Sequence, residues 1–358
     1  MSSISTRKKD HIDLTLTESS QYKRPTGFQM YQLKHNALPE CGLEDISFRS
    51  HLLGSEFEFP LFISSMTGGH GEATNLNAEI ATFCEHFKIP FGVGSQRVML
   101  EESTHEKSFT IVRKKAPNAF ITANIGGAQL IGGMPSNRLQ SMINSIQANA
   151  VIVHLNPLQE LIQPEGDTQF DGVLKGIEQL VNISPVPLIV KETGAGINSA
   201  VAKRLLNVGV KVIDVAGVGG TSWSRVEAAR ISSRPETDKV GSTLTRKYEL
   251  EMQERFNEWG NSTVYCLKSL QELAWEREFE IIASGGIRHA QDMIKARCLG
   301  AHFVAVAQPV VRVLKEEGLK GLEKWFNLWR KEATMIMTLL GVREWRLLSE
   351  EHITPHSS

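Results

Sequence analysis

Residues 150–160 read AVIVHLNPLQE, and this stretch predicts the end of a buried strand. The apolar residues 151–153 are typical of a strand, and Pro157 ends it because proline cannot donate to a sheet ladder. Clustered polar groups at the carboxyl end of a strand are typical of the sites of parallel α/β proteins. A histidine satisfied within a turn is the structural alternative. The polar residues that follow the strand are His154, Asn156, Gln159 and Glu160.

Similar apolar runs recur along the chain, and each is followed by a longer, amphipathic stretch that is typical of a helix. Eight such strand–helix units are the number that closes a TIM (β/α)8 barrel, and a doubly wound open sheet is the alternative. The runs are FPLFISS (59–65), IPFGVGS (89–95), AFITANI (119–125), AVIVHL (150–155), PLIVKE (187–192), VKVIDVA (210–216), EIIASG (280–285) and HFVAVAQ (302–308).

The predicted repeat divides the chain into three parts. Residues 1–58 form an N-terminal arm and lead-in segment, 59–341 form the barrel, and 342–358 form a C-terminal tail. The stretch 217–279, between strands six and seven, is too long for a simple crossover. It therefore predicts a long loop insertion that is either ordered or mobile, and both it and the arm are candidate lids.

Composition excludes several classes of partner. Lys and Arg number 39 against 40 Asp and Glu, so a net charge of -1 gives no reason to expect nucleic acid. The four cysteines form no CxxC pair, which argues against a disulfide framework and favours the cytoplasm. The first twenty residues lack the apolar core of a signal peptide, and no run approaches the ~18 apolar residues of a membrane span.

Two loops near the end of the predicted barrel have the composition of a phosphate site. SGGIR (284–288) follows strand seven, and VAQP (306–309) follows strand eight. In TIM barrels these loops cradle phosphate, since small residues let backbone N–H groups approach the oxygens. Arg288 adds a guanidinium to this cradle. The structural alternative is that these glycines serve tight turns.

Lys191 follows an apolar strand and is therefore expected in the mouth of the barrel. A cation there can stabilise the anionic N1–O2 edge of a reduced flavin. A Schiff-base lysine and a structural lysine with a buried stem are the alternatives.

A set of motifs resembles the type 2 isopentenyl-diphosphate isomerase family, from Arg7 to about Pro309. HLNPLQE is the most specific motif, whereas SGGIR also occurs in other flavin barrels. The motifs are RKKDHI (7–12), SMTGG (65–69), GSQR (94–97), HLNPLQE (154–160), KETG (191–194), AGVGGTSW (216–223), SGGIR and VAQP.

The resemblance implies a TIM barrel that interconverts isopentenyl and dimethylallyl diphosphates, small-molecule substrates, with reduced FMN as acid and base. It also implies Mg²⁺ on the diphosphate, NAD(P)H as the reductant of the flavin, and a homo-oligomer, either tetramer or octamer. The FMN residues that it implies are Met66, Thr67, Gly68, Ser95, Asn124, Lys191, Thr221, Gly286, Ile287, Arg288, Ala307 and Gln308. The implied substrate residues are Arg7, Lys8, Ser95, Gln96, Arg97, His154, Asn156 and Gln159, with Glu160 as metal ligand. The catalytic set is His154, Gln159 and Lys191.

Two enzyme classes compete with this interpretation. An α-hydroxy-acid oxidase would need an active-site histidine ahead of the strand-seven loop, and residues 217–279 contain none. An inosine-monophosphate-dehydrogenase-like enzyme would need a nucleophilic cysteine in a Gly-rich loop, whereas Cys266 lies in a predicted helix. A non-catalytic barrel would not need His154, Glu160 and Lys191 at its strand ends.

Overall fold

A computed structural model describes residues 4–66, 68–69, 71–232, 243–274 and 276–356, with the side chains of residues 4–9, 103, 243–247 and 249 left out. Within these residues, eight parallel strands form a closed barrel. They are β1 Leu61–Ile63, β2 Phe91–Gly92, β3 Ile121–Gly126, β4 Ala150–Leu155, β5 Leu188–Glu192, β6 Val212–Asp214, β7 Glu280–Ala283 and β8 Phe303–Val306.

The strands follow one another around the barrel in chain order, and β8 closes it by pairing with β1. The predicted TIM barrel is therefore confirmed, and the open sheet is excluded. The helices of the described residues are α1 Ile4–Thr15, α2 Gly71–Phe87, α3 Arg97–Glu101, α4 Lys107–Lys115, α5 Ser136–Ile146, α6 Pro157–Ile162, α7 Val173–Ile183, α8 Ser199–Asn207, α9 Trp223–Ser232, α10 Thr243–Glu254, α11 Thr263–Ala274, α12 Ala290–Cys298 and α13 Gln308–Leu340.

Side chains alternate along each strand between the barrel interior and the surrounding helices. In β4, Val151 and Val153 belong to the large core beneath the helices, whereas Ile152 belongs to a smaller core inside the barrel. Along each strand, the following inward-facing residue lies two positions later and is therefore closer to the carboxyl end of the barrel. The inner core also contains Ile189, Val212 and Ile282 of the next three strands.

A β-hairpin closes the amino end of the barrel. Its strands, Ser50–Leu52 and Ser55–Phe57, pair antiparallel. The ring of Phe57 lies 5.5 Å from that of Phe303 and 5.7 Å from that of Phe120, both in edge-to-face contact. Apolar side chains thus fill the amino-terminal part of the barrel interior, and polar side chains occupy its carboxyl end.

The N-terminal arm and the insertion meet above the barrel mouth. The arm begins with helix α1, which packs on α9 of the insertion. The insertion after β6 is mostly helical where it is described, in α9, α10 and α11. The sequence predicted the helix around Cys266 and left open whether the rest of the insertion is ordered. It did not predict helices α1 and α10, because they carry few apolar residues and no helical period is evident in them.

The last helix and the C-terminal tail complete the barrel. Helix α13 has a backbone break at Gly318 (φ 66°, ψ -165°). The break allows the part before Gly318 to lie along the mouth of the barrel and the part after it to pack as the final barrel helix. In the tail, strand Ile353–Pro355 pairs antiparallel with Tyr31–Leu33 of the lead-in segment. The two ends of the chain therefore stabilise each other.

None of the described helices is both long and apolar enough to cross a membrane. All four cysteines are free thiols, and Cys84, Cys266 and Cys298 are buried.

The buried Trp345 of the C-terminal tail provides a test of the fold. Trp345 is 2% exposed, and its indole Nε1 donates to the carbonyl oxygen of His302 at 3.1 Å. Trp345→Ala should lower the free energy of unfolding by about 3–5 kcal/mol, because it leaves a large cavity. Leu347→Ala is the control, since Leu347 is 53% exposed and should change stability by less than about 0.5 kcal/mol. Equal urea midpoints for the two variants would contradict a packed tail.

Candidate functional site

A layer of polar side chains lies directly above the apolar interior of the barrel. Asn124, His154, Lys191 and Asp214 each occur two residues after an inward-facing residue of their strand, and Ser284 extends β7 in the same way. The register pairs His154 with Lys191, and Lys191 with Asp214. The closed barrel therefore brings together five side chains that span 160 residues of sequence.

Several of these groups are fixed by hydrogen bonds. Asn124 Nδ2 donates to the carbonyl oxygen of Val93 at 3.0 Å, and Asn124 Oδ1 lies 2.9 Å from Nδ1 of His154. Lys191 Nζ donates to the carbonyl oxygen of Glu192 at 2.6 Å. The side chains at the mouth are thus held before any ligand arrives.

A cavity opens above this layer on the side of β7 and β8. It contains the loops that the sequence predicted as a phosphate cradle. The predicted FMN residues that line it are Met66, Lys191, Thr221, Gly286, Ile287, Arg288, Ala307 and Gln308.

Glycines in this cavity allow a close approach of three loops. A Cβ atom on Gly220 would lie 2.8 Å from the backbone nitrogen of Gly286, and one on Gly286 would lie 2.3 Å from the carbonyl oxygen of Gly219. Gly286 also has φ of 77°, which side-chain-bearing residues rarely adopt. The cradle is therefore built from backbone at positions where only glycine fits.

Arg288 lines the cavity, and the guanidinium group of Arg312 is close enough for the two charges to repel each other. Burial and the neighbouring charge of Arg312 lower the pKa of Arg288, although Asp292 opposes this shift. Arg288 Nη2 donates to Gln21 Oε1 at 3.0 Å, and Arg312 Nη2 donates to the carbonyl oxygen of Leu16 at 2.9 Å. An anion between the two arginines would relieve their repulsion.

A second pocket lies beside the first, towards β2, β3 and β4. The two pockets share part of their walls, so they form one site with two compartments. The shared residues are His11, Ser65, Met66, Lys191, Thr193 and Trp223. The second pocket adds Gly68, Gly94, Ser95, Asn124, His154 and Gln159.

Gln159 is connected to a buried carboxylate that the sequence did not single out. Gln159 Nε2 donates to Glu227 Oε1 at 3.1 Å, and Gln159 Oε1 accepts from Asn156 Nδ2 at 3.2 Å. Glu227 is fully buried, with His11 Nε2 at 2.9 Å and Arg230 Nε at 2.8 Å. These contacts fix the orientation of the Gln159 amide at the pocket.

The charge of Glu227 is stabilised by its neighbours. Burial by itself would raise its pKa, but His11, Arg230 and Gln159 together lower the pKa to about 2. Glu227 is thus an anion at any physiological pH, and it connects helix α1 to the catalytic pocket through His11.

Glu192 has a structural role next to Lys191. Its carboxylate accepts the backbone N–H groups of Thr193, Gly194, Ala195 and Gly196. Burial raises the pKa of Glu192, and these hydrogen bonds oppose that shift. The carboxylate thereby holds the loop that contributes Thr193 and Gly194 to the wall of the site.

The predicted diphosphate and metal residues Arg97, Asn156 and Glu160 do not line the second pocket, but they are close in sequence to Ser95, His154 and Gln159, which do. Arg97 pairs with Asp167 at 3.4 Å and with Glu101 at 2.9 Å. Glu160 Oε2 accepts the backbone N–H of Asp167 at 2.8 Å, and Glu160 Oε1 accepts from Asn156 Nδ2 at 2.9 Å. Asp167 thus connects Arg97 and Glu160.

The side chain of Gln96, another predicted substrate residue, is buried away from the site. Gln96 is fully buried, its Nε2 donates to the carbonyl oxygen of Met142, and its Oε1 accepts the backbone N–H of Asn124. The side chain of Gln96 therefore braces β3 against α5 and does not line either pocket. A motif shows that a residue type recurs, but it does not show which way the side chain points.

Three other predicted residues are not tested by this geometry. Thr67 lies outside the described residues. Arg7 and Lys8 belong to helix α1, but their side chains lie outside the described part of the chain.

Sequence reasoning missed His11, Asp214, Trp223, Glu227 and Ser284. Asp214 had a signal, since it is a charged residue within the apolar run VKVIDVA. His11, Trp223 and Ser284 lay within motifs and were given no role. Glu227 had no signal, because its partners His11, Gln159 and Arg230 are brought together only by folding.

Comparisons with known proteins add independent findings. Residues 134–355 match the family described as FMN-dependent dehydrogenase. The chain is 42% identical over 342 residues to an isopentenyl-diphosphate delta-isomerase of Chlorobium phaeovibrioides, covering 95% of this chain and 94% of that protein. It is 40% identical over 311 residues to a protein of the same name from a Nostoc species, covering 87% and 84%.

Solved structures show the same fold at low sequence identity. A flavocytochrome b2 mutant with sulfite bound has a TM-score of 0.66 at 17% identity, covering 96% of this chain and 82% of that one. A soluble mutant of (S)-mandelate dehydrogenase from Pseudomonas putida has a TM-score of 0.63 at 13% identity, covering 98% and 99%.

The packing of the cradle predicts the effect of one added methyl group. Gly286→Ala would force a Cβ against the carbonyl oxygen of Gly219, so the purified protein should lose most of its flavin absorbance. Gly42→Ala is the control, because a Cβ there meets only Asp45 Oδ2, at 3.9 Å. Full flavin content in Gly286→Ala would show that the cradle lies elsewhere.

Proposed function

The chain belongs to the isopentenyl-diphosphate delta-isomerase family and carries an FMN-dependent dehydrogenase domain, and on this basis we propose that it interconverts isopentenyl and dimethylallyl diphosphates by a 1,3-allylic proton shift. The observation that carries this proposal is the joining of the two compartments. A glycine-walled cradle with Lys191 shares a wall with a pocket that contains His154 and Gln159.

The residues of the first cavity fit FMN. Gly286, Ile287, Ala307 and the start of α13 would hold the phosphate, together with Arg288. Ser65 Oγ is buried without a hydrogen-bond partner among the described residues, and it lines both compartments. When bound and reduced, FMN would supply an acid and a base to the alkene.

Lys191 would bind the N1–O2 edge of the flavin ring. Its side chain lines both compartments, and the ammonium group is already oriented by the carbonyl oxygen of Glu192. A buried cation is the electrostatic partner that an electron-rich ring requires. Trp223 and Met66, on the shared wall, would exclude water from the alkene.

The diphosphate would bind at the edge formed by Arg97, Asn156 and Glu160, with His154 beside it. A chain with a net charge of -1 needs local cations for such a ligand, and Arg7 and Lys8 of helix α1 are proposed to contribute theirs. One carboxylate, Glu160, is enough for Mg²⁺, because this ion keeps several waters and takes phosphate oxygens as ligands.

Gln159 would orient the substrate and maintain the proton path near its far carbon. An amide is a poor acid, so Gln159 by itself would not protonate an alkene. Its hydrogen bond to the Glu227 carboxylate gives the amide a fixed donor direction and links it to His11. Arg230 keeps Glu227 ionised and in place.

Two observations disfavour the competing oxidoreductases. Residues 217–279 lack the histidine that an α-hydroxy-acid oxidase would require. Cys266 is fully buried in α11, and burial, followed by the charge of Glu192, raises its pKa to about 12. Such a thiol is a poor nucleophile.

We also propose NAD(P)H as the physiological reductant, a homo-oligomeric assembly and a cytoplasmic location, with no nucleic-acid partner. The balanced charge of the chain supports the last point.

An anaerobic assay tests the proposed function. The protein should be inactive with oxidised FMN, become active when one equivalent of reductant per flavin is added, and then convert many equivalents of substrate. In D₂O the product should carry deuterium, since the shift exchanges protons. Air-oxidised enzyme is the control. Product limited to one equivalent per flavin would indicate an oxidoreductase instead.

The metal site is tested separately with Glu160→Gln. This variant keeps the shape of the side chain but removes its charge, so it should retain FMN and lose at least about tenfold in kcat/KM at low Mg²⁺. Glu178→Gln, on the exposed face of α7, is the matched control. Normal Mg²⁺ dependence in Glu160→Gln would show that the ion binds elsewhere.

A further inference from the structure

Asp214 is a buried carboxylate at the base of the site. It is 3% exposed and ends β6, and the register places it beside Lys191 of β5. Its Oδ1 accepts the hydroxyl of Ser284 at 2.5 Å and the backbone N–H of Ala216 at 3.3 Å. Ser284 and Ala216 both line the cavity proposed for FMN, so Asp214 is one contact removed from that cavity.

A charge in this position requires compensation. Burial raises the pKa of Asp214, and Lys191 lowers it more than the hydrogen bond from Ser284 does. Lys191 itself is 8% exposed. Two opposite charges that are both removed from water interact strongly, since water screens them little.

Glu192 also interacts with the charge of Lys191, since burial raises the pKa of Glu192 and Lys191 lowers it, but Glu192 has a second, structural role. Its carboxylate is occupied by the backbone N–H groups of residues 193–196. Substituting it would release the loop that forms the cavity wall. Asp214, in contrast, is bonded within the polar layer itself, through Ser284.

We propose that Asp214 offsets the charge of Lys191, its neighbour in the strand register, and that it thereby sets the reduction potential of the bound FMN. This inference rests on the proposed placement of FMN above Lys191. Reduction of FMN by a two-electron donor with uptake of one proton leaves a negative charge on the N1–O2 edge. Lys191 would stabilise that charge, and the buried negative charge of Asp214 beside it would weaken this stabilisation.

The proposed isomerisation explains why Asp214 would oppose the effect of Lys191 on the flavin. A flavin that acts as acid and base must give up its proton as readily as it takes it, so excessive stabilisation of the anion would hold the flavin in one state. The carboxylate of Asp214 beside Lys191 keeps the reduction potential of FMN low, and it keeps the two protonation states of the reduced flavin close in free energy. The pair thus tunes the cofactor without contacting the substrate.

The test is the midpoint potential of FMN in the full-length protein, without substrate. Asp214→Asn should favour the reduced flavin by about tenfold, which is a positive shift of about 30 mV for two electrons. Equilibration with a reference dye and dithionite under anaerobic conditions gives the potential from the flavin absorbance. The pH at which the reduced flavin spectrum changes should fall as well.

Three further variants make the result decisive. Glu272→Gln, an exposed carboxylate on α11, should leave the potential unchanged because solvent screens its charge. The shift caused by Asp214→Asn should disappear in a Lys191→Gln background, as a double-mutant cycle would show. If Asp214→Asn does not fold, Asp214→Val with Ser284→Ala removes both partners of the hydrogen bond and should give the same positive shift.

An unchanged or negative shift in a flavin-loaded variant would overturn the inference and leave the proposed isomerase intact. A shift that persists without Lys191 would also overturn it, because Asp214 would then act directly on the flavin. Wild-type protein that binds no FMN would refute the proposed function itself.

Discussion

The structure depends on placing a layer of charged and polar side chains on top of an apolar barrel interior. Burying an ionised group is costly unless it is paired or hydrogen-bonded. The members of the layer meet this condition in different ways: Asn124 contacts His154, Ser284 donates to Asp214, and Lys191 donates to the carbonyl oxygen of Glu192 and lies beside Asp214 in the strand register. A closed barrel provides such neighbours on both sides of every strand, since it has no edge.

The two compartments are built from different groups of the chain. The cradle side uses backbone and glycine, so it suits an anion bound through backbone N–H groups. The other side uses charged side chains, among them Glu227, Arg230 and His11, whose contacts cross between α1 and α9. The helices of the arm and of the insertion thus complete the pocket that the strands begin.

The barrel is shared with flavin oxidoreductases, yet the surroundings of the site differ. The structural relatives with TM-scores of 0.63–0.66 are at most 18% identical to this chain, so they establish the fold alone. The chemistry must be argued from side chains. Gln159 held by an ionised Glu227, beside Lys191 and without an active-site histidine in residues 217–279, suits proton transfer at an alkene better than oxidation of a hydroxy acid.

The sequence by itself determined the barrel, because each strand was an apolar run of the right length followed by a helical period, and these signals are local. It also indicated the cradle and Lys191, because a glycine pair and a lysine at strand ends have few other uses. Only the tertiary structure decided that Gln96 braces α5, that α1 and α10 are helical, and that Glu227 lies behind Gln159. The reason is physical: the direction of a side chain and the pairing of a buried charge depend on groups far away in sequence. Asp214 illustrates both cases, since its charge within an apolar strand is visible in the sequence, but its partners Lys191 and Ser284 are supplied by neighbouring strands.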